Sequence, residues 1–310
     1  MAEPQSYKRT MKLMGNQFEL TVVAHTREWA NQMIDEGVKE IQRIEKLLTT
    51  FSDDSETNLI NRNAGIQAVT VSDETFRIIE RSMKISSVTQ GAFDITYGSI
   101  DKSLWNFDQA MTALPSVKKA KKMVRLINYK NIELGAEKRT VFLKEKGMRI
   151  GFGGIGKGYA AEMAKEVMKK NGVTSGIVNA SGDLTAWGTQ PGGKPWTIGI
   201  VHPDYKGYPF SFMNISDMAV ATSGNYEKFV MINGKKYSHT IDPHTGLPVT
   251  GIKSVTIISP NAEICDAMAT PVMIMGIEHG LNLINQLKHV ECLIIDDNNK
   301  IYTSHNIKCN

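Results

Sequence analysis

Between Gln17 and Ala24 every second residue is apolar (Phe18, Leu20, Val22, Ala24), the period of a strand with one buried face. A short polar lead over residues 1–10 and a sharp Met14-Gly15-Asn16 corner come before it. From Thr26 the period lengthens: Ile34, Val38, Ile41, Ile44 and Leu48 recur at helical spacing, with Thr26 placed to cap the first turn. Turn formers from Phe51 to Glu56 break that pattern. A second helix is then predicted over Asp73 to Val88 on Phe76, Ile79 and Met83.

The segment from Lys130 to Ile150 reads as short strands punctuated by Gly135 and Gly147, and a glycine-rich turn from Gly151 leads into an amphipathic helix ending near Met168. Strands are predicted over Gly176–Asn179, Trp196–Val201, Phe210–Ile215 and Ala219–Thr222. Runs from Tyr226 to Ile232 and Tyr237 to Ile241 flank Asn233-Gly234, a strong short hairpin signal. A strand over Ile252–Ser259 precedes a helix from Asn261 to about Met275, a helix around His279 to Leu287, and strands over Val290–Asp296 and Lys300–Thr303. Residues 304–310 read as a loose tail. No repeat or Pro/Gly/Ser-rich linker divides the chain, so residues 1–310 are expected to form one α+β unit, two-lobed, with mixed or antiparallel sheets and flanking helices.

Composition narrows the class without naming it. The 310 residues are 41% hydrophobic and 22% charged, the balance of an ordinary globular protein with a full core. A net charge of +4 is too small and scattered to imply nucleic-acid binding. The basic cluster Lys118 to Lys122 fits a solvated helix face. Cys265, Cys292 and Cys309 lack zinc or CxxC spacing, and the first two read as small buried hydrophobes. No run approaches a membrane span, and residues 1–9 lack the apolar core of an export signal.

Chemically capable side chains concentrate in three places. The end of the hairpin carries Ser238, His239, Asp242 and His244, with Gly246 available for a left-handed turn position. His239 there is either a turn-capping side chain or a base held at a loop mouth. The stretch Gly151 to Tyr159 partly fits both a dinucleotide fingerprint and a phosphate loop, but Gly158 follows Lys157 where a phosphate loop needs a hydroxyl. The next strand, moreover, ends without an acid for a ribose. What remains is a phosphate-bearing ligand at a glycine turn, with Lys157 as counter-charge. Asp266 and Thr270 lie four residues apart on one helix face, which suits either a capping carboxylate or a hard-metal site. A fourth stretch, Gly91 to Tyr97, is either a ligand wall or a packed loop.

Five ordered stretches together resemble the ApbE family of FAD:protein FMN transferases: Met14-Gly15-Asn16, Gly91-Ala92-Phe93-Asp94, GFGGIGKGYA from Gly151, SGNYEKFVMINGKKYSHTIDPHTGLP from Ser223, and CDAMAT from Cys265. The resemblance implies an enzyme that cleaves FAD, attaches FMN through a phosphoester to a Thr or Ser of a target protein, and releases AMP with the help of Mg²⁺. It implies Asp266, Thr270 and the Gly154 carbonyl as metal ligands, His239 as catalytic base, and Met14, Phe51, Ala92, Phe93, Asp94, Lys157 and Ile241 as FAD contacts. It also implies an acceptor such as a membrane redox-complex subunit, and a place at the cell envelope on the outer face of the inner membrane. The chain departs from many members at Gly151 and Asn225, where they carry Asp, at Ser181, where they carry Gly, and at Ala269 in place of a second carboxylate.

Elementary chemistry accommodates the same residues. An alcohol attacking a diphosphate needs its phosphoryl oxygens neutralised, here by a metal and Lys157, and needs a base, a role suited to imidazole. Asp242 is placed to orient His239, and Met14, Phe51 and Phe93 offer a wall for a flat ring. Three alternatives stay open: an FAD pyrophosphatase yielding FMN and AMP, an FAD-binding protein without turnover, and a nicotinamide dehydrogenase built on the glycine turn.

Overall fold

The structure, a computed structural model, describes residues 3–103, 112–201, 209–225 and 229–307. Tyr226, where the hairpin run was expected to begin, and Cys309 with the end of the tail lie outside the described residues.

The supposed polar lead is, from Gln5, strand β1 (Gln5–Leu13), paired residue for residue with β2 (Asn16–Ala24) through a turn at Met14-Gly15. Its lysines alternate outward along the sheet edge, as edge strands that must resist further pairing commonly arrange. Helix α1 (Arg27–Leu48) follows, its first turn capped by Thr26 Oγ1 accepting from the Trp29 N–H.

The turn formers after Phe51 contain a short helix, α2 (Glu56–Arg62), capped by Ser55. Strand β3 (Val69–Thr70), helix α3 (Asp73–Val88) and a 3₁₀ turn over Ile95–Ser99 come next. Helix α4 (Val117–Met123) then precedes β4 (Ile132–Gly135) and β5 (Thr140–Leu143). Strands β3, β5 and β4 form a small antiparallel sheet.

The second half supplies α5 (Gly156–Lys170), β6 (Gly176–Ala180), β7 (Asp183–Trp187), β8 (Trp196–Val201), β9 (Pro209–Ile215) and β10 (Met218–Gly224). The hairpin β11 (Phe229–Ile232) and β12 (Lys235–Ser238), then β13 (Ile252–Ser259), α6 (Ala262–Ile284), β14 (Glu291–Asp296) and β15 (Ile301–Thr303) complete the described chain. The two expected C-terminal helices are one run broken at Gly276, whose backbone (φ 81°, ψ 173°) is not helical.

Eight strands make one antiparallel sheet in the order β1-β2-β6-β7-β10-β13-β14-β15. Helices α1, α5 and α6 cover one face, packing on Phe18, Leu20, Val178, Ala219, Val255 and Ile257. The β8–β9 ribbon covers part of the other, with Trp196 and Ile215 against Leu184, Val220 and Ile258. Successive residues of β10 therefore face opposite layers, Val220 toward the ribbon and Ala219 and Ala221 toward the helices. No described helix is long and apolar enough to cross a membrane.

Candidate active site

One end of the large sheet gathers the β1–β2 turn, the β6–β7 turn and the end of β10. The glycine turn before α5, the middle of α6 and the end of β12 close around them. The cleft between has a volume of about 660 Å³, in the range that holds a dinucleotide-sized ligand. Seven of the residues implied by sequence line it: Met14, Phe51, Gly154, Lys157, His239, Asp266 and Thr270.

The glycine turn and α6 are tied by a hydrogen bond. The N–H of Gly158, in the first turn of α5, donates to Asp266 Oδ2 at 2.9 Å. A helix N-terminus leaves its first N–H groups without backbone partners, and a carboxylate there also answers the helix dipole. Gly158 is required for this approach: a Cβ on it would lie 2.2 Å from the Ala262 carbonyl oxygen and 2.7 Å from Asp266 Cβ. The glycine that denies this turn the phosphate-loop hydroxyl is thus the contact point of two helices.

Asp266 is buried, and its Oδ1 lies 3.5 Å from Lys157 Nζ. The same ammonium is 2.5 Å from Asp183 Oδ2. Sequence reasoning passed over Asp183 because β7 reads as Leu184 and Ala186 alternating with polar Asp183 and Thr185, the pattern of a strand with one wet face. Every residue of β7 is in fact buried, since helices pack on one side and the β8–β9 ribbon on the other. Burial, with the neighbouring Asp266 charge, pushes the Asp183 carboxyl above the usual range, while Lys157 and the Thr222 N–H pull it back. For Lys157 burial works against the charge, but Asp266 and Asp183 outweigh it and raise its pKa, so the ammonium stays protonated.

Thr270 lies one turn beyond Asp266 on α6 and shares a 2.9 Å hydrogen bond between its Oγ1 and Ser223 Oγ of β10. If Thr270 donates its proton to Ser223, its lone pairs face the cleft. Asp266, Thr270 and the Gly154 carbonyl are oxygen donors of the hard type that suits Mg²⁺. Two buried carboxylates sharing one ammonium leave negative charge for a cation to answer. No group of three or more His, Cys, Asp or Glu residues placed to hold a metal ion occurs among the described residues, so an ion held by Asp266, Thr270 and Gly154 would keep coordination places for water or phosphate oxygens.

His239 sits on the rim, one residue past the end of β12. The return strand of the hairpin was expected over Tyr237–Ile241, but the two-residue Asn233-Gly234 loop, both residues at positive φ, sets the register earlier and starts it at Lys235. Ile241 instead bridges to Pro248, and the Val249 N–H donates to Thr240 O. Gly246 takes the left-handed position (φ 73°) against the Ala120 carbonyl.

Asp242, expected to orient His239, commits its carboxylate to its own turn. Its Oδ1 accepts from the His244 N–H at 2.9 Å and lies 3.0 Å from His244 Nδ1, and its Oδ2 accepts from Thr245 Oγ1 at 3.0 Å. An Asp carboxylate readily closes a turn on the residues that follow it, and here the Pro243 turn folds His244 and Thr245 back onto it. His244 Nε2 in turn meets the Gln90 carbonyl at 2.9 Å, tying this loop to the Gly91 segment.

Ala92, Phe93, Asp94 and Ile241 stand behind the cleft wall. Ala92, Phe93 and Ile241 are in the interior, Asp94 is half-buried, and the Phe93 ring edge lies 3.7 Å from where a Cβ on Gly154 would be. Asp94 accepts from the Thr96 N–H and hydroxyl on one oxygen and from the Tyr129 N–H on the other. Burial raises its pKa against those hydrogen bonds. Phe51 is the opposite case, 99% exposed at the cleft mouth, a ring with nothing packed on it.

Comparison with known proteins agrees with this geometry. Residues 14–294 match the ApbE family. A Klebsiella pneumoniae protein named FAD:protein FMN transferase is 28% identical over 306 residues, covering 98% of this chain and 93% of the relative. A Treponema pallidum protein of the same name is 29% identical over 289 residues, covering 88% and 80%. The crystal structure of the ApbE protein of Thermotoga maritima superposes with a TM-score of 0.87 at 27% identity, covering 97% of each chain. With five ordered sequence stretches, one cleft that gathers Lys157, His239, Asp266 and Thr270 from three of them, and a family match over residues 14–294, this chain belongs to the ApbE family.

Proposed function

We propose that the chain is a flavin transferase that cleaves FAD and joins its FMN half to a Thr or Ser hydroxyl of an acceptor protein, releasing AMP. The relatives' names support the reaction class, and one observation carries it to this chain. A single cleft brings an α-helix N-terminus with Lys157, an oxygen set of Asp266, Thr270 and Gly154, and the imidazole of His239 around one space.

In this reading the Lys157 ammonium, at the start of α5, binds the diphosphate. Phe51 and Met14 at the mouth hold the isoalloxazine ring by stacking and apolar contact. His239 accepts the proton of the acceptor hydroxyl as its oxygen attacks the FMN phosphorus, and the bond from that phosphorus to the AMP phosphate breaks. Mg²⁺ held by Asp266, Thr270 and the Gly154 carbonyl would supply charge neutralisation on the phosphoryl oxygens. The acceptor is a protein presenting an accessible Thr or Ser, such as a subunit of a membrane redox complex.

Asp266→Asn tests the metal role cleanly, because the amide oxygen can still accept from the Gly158 N–H while the charge is lost. It should abolish Mg²⁺-dependent FMN transfer with the melting temperature little changed; full turnover in this variant would contradict the assignment. His239→Ala should slow transfer by about 10²–10⁴-fold with FAD still bound. Free FMN and AMP appearing at the same rate with or without acceptor would identify a pyrophosphatase instead.

A further inference from the structure

Asp183 lies outside the stretches that pointed to the activity, yet it holds the lysine that lines the cleft. Its side chain is one-tenth exposed and fixed twice, by its place at the start of β7 and by the Thr222 N–H. Asp266 is fixed likewise, by α6 and by the Gly158 N–H. Two rigid carboxylates therefore flank Lys157, whose four-carbon side chain is the movable member.

We propose that Asp183 is a positioning residue for phosphoryl transfer: it tethers the Lys157 ammonium within the cleft, so that Asp266 can take a divalent cation while Lys157 remains available to the diphosphate. The proposal deepens the flavin-transferase reading and rests on it. Without a carboxylate of its own, the ammonium has Asp266 as its nearest counter-charge, and a metal arriving there meets a competing cation that repels it strongly at such separations. With Asp183 in place, Lys157 keeps a partner at 2.5 Å when Asp266 Oδ1, 3.5 Å away, is taken by the metal. The site then presents two positive centres to a doubly charged diphosphate rather than one replacing the other.

The test is a double-mutant cycle read by Mn²⁺ binding in the absence of FAD, followed by electron paramagnetic resonance, with thermal melting of each variant and FMN transfer by the wild type alongside. Asp183→Asn should weaken Mn²⁺ binding about 10–100-fold, the range seen when a residue supporting a metal site is lost. Lys157→Met should bind Mn²⁺ more tightly than the wild type and fail to transfer FMN. Adding Asp183→Asn to Lys157→Met should then change Mn²⁺ affinity by less than about threefold, because the residue acts through the lysine. A full-sized loss in the Lys157→Met background would make Asp183 act on the metal directly, and unchanged Mn²⁺ affinity with a lowered melting temperature would make it merely structural. Either result overturns the proposal. Wild-type transfer reports separately on the transferase reading: transfer intact with no coupling between positions 157 and 183 sinks the Asp183 assignment alone.

Discussion

Ser181 holds its backbone at φ +57° in the turn between β6 and β7, a conformation in which a side chain crowds its own carbonyl. Glycine adopts this conformation without that crowding, and Ser181→Gly should stabilise the protein by about 0.5–1 kcal/mol, read as a raised denaturant midpoint with unchanged slope. No gain would mean that the turn is relaxed around serine. Residue chemistry was unevenly legible in the sequence. Lys157, Asp266, Thr270 and His239 stood in short patterns whose spacing carries a mechanism, and the structure places all four on one cleft. Asp183 was hidden because a strand buried on both faces looks, in sequence, like one buried on a single face. The partner of Asp242 was misjudged because sequence shows proximity along the chain, whereas the Pro243 turn gives that carboxylate to His244 and Thr245.

Elements with long, regular periodicity were read well. Helix α3 and strand β13 have the boundaries the pattern predicts. Helix α2, seven residues long, is too short to show a period, and β1 is an edge strand whose exposed alternate residues disguise it as a polar lead. The break in α6 is an element-scale feature with a measurable consequence. Gly276 sits in a region of backbone space open in practice to glycine alone, and a Cβ there would meet nothing within 4 Å. Gly276→Ala should therefore cost about 1–3 kcal/mol through backbone strain alone. A neutral outcome in chemical denaturation would show that α6 can run straight through this point.

At the scale of the molecule, the helical layer is held to its neighbours by charge as well as by packing. Arg43 of α1 donates to both oxygens of Glu74 on α3 at 2.6 and 2.8 Å, and Tyr159 of α5 donates to Glu74 Oε1 at 2.7 Å. The Arg43 hydrogen bonds hold the Glu74 carboxyl below its ordinary pKa, overcoming the effect of burial. A depressed carboxylate pKa stabilises the folded state above the unfolded-chain value, and that stabilisation is lost as pH falls through the folded value. Glu74→Gln should lower stability at neutral pH and flatten the acid limb of the stability profile; an unchanged acid limb would show that Glu74 titrates alike in both states. The α1, α3 and α5 junction fixed this way supports the helix start that carries Lys157.

The central claim is transfer rather than binding or hydrolysis, and intact-mass measurement tests it most directly. The purified chain is incubated with FAD, Mg²⁺ and an acceptor domain bearing an accessible Thr. The account predicts that the acceptor gains the mass of one phosphoester-linked FMN as AMP appears in equal amount, and that the gain disappears on chelation of the metal. An acceptor of unchanged mass beside intact FAD, across acceptors with Thr and Ser targets, would contradict it.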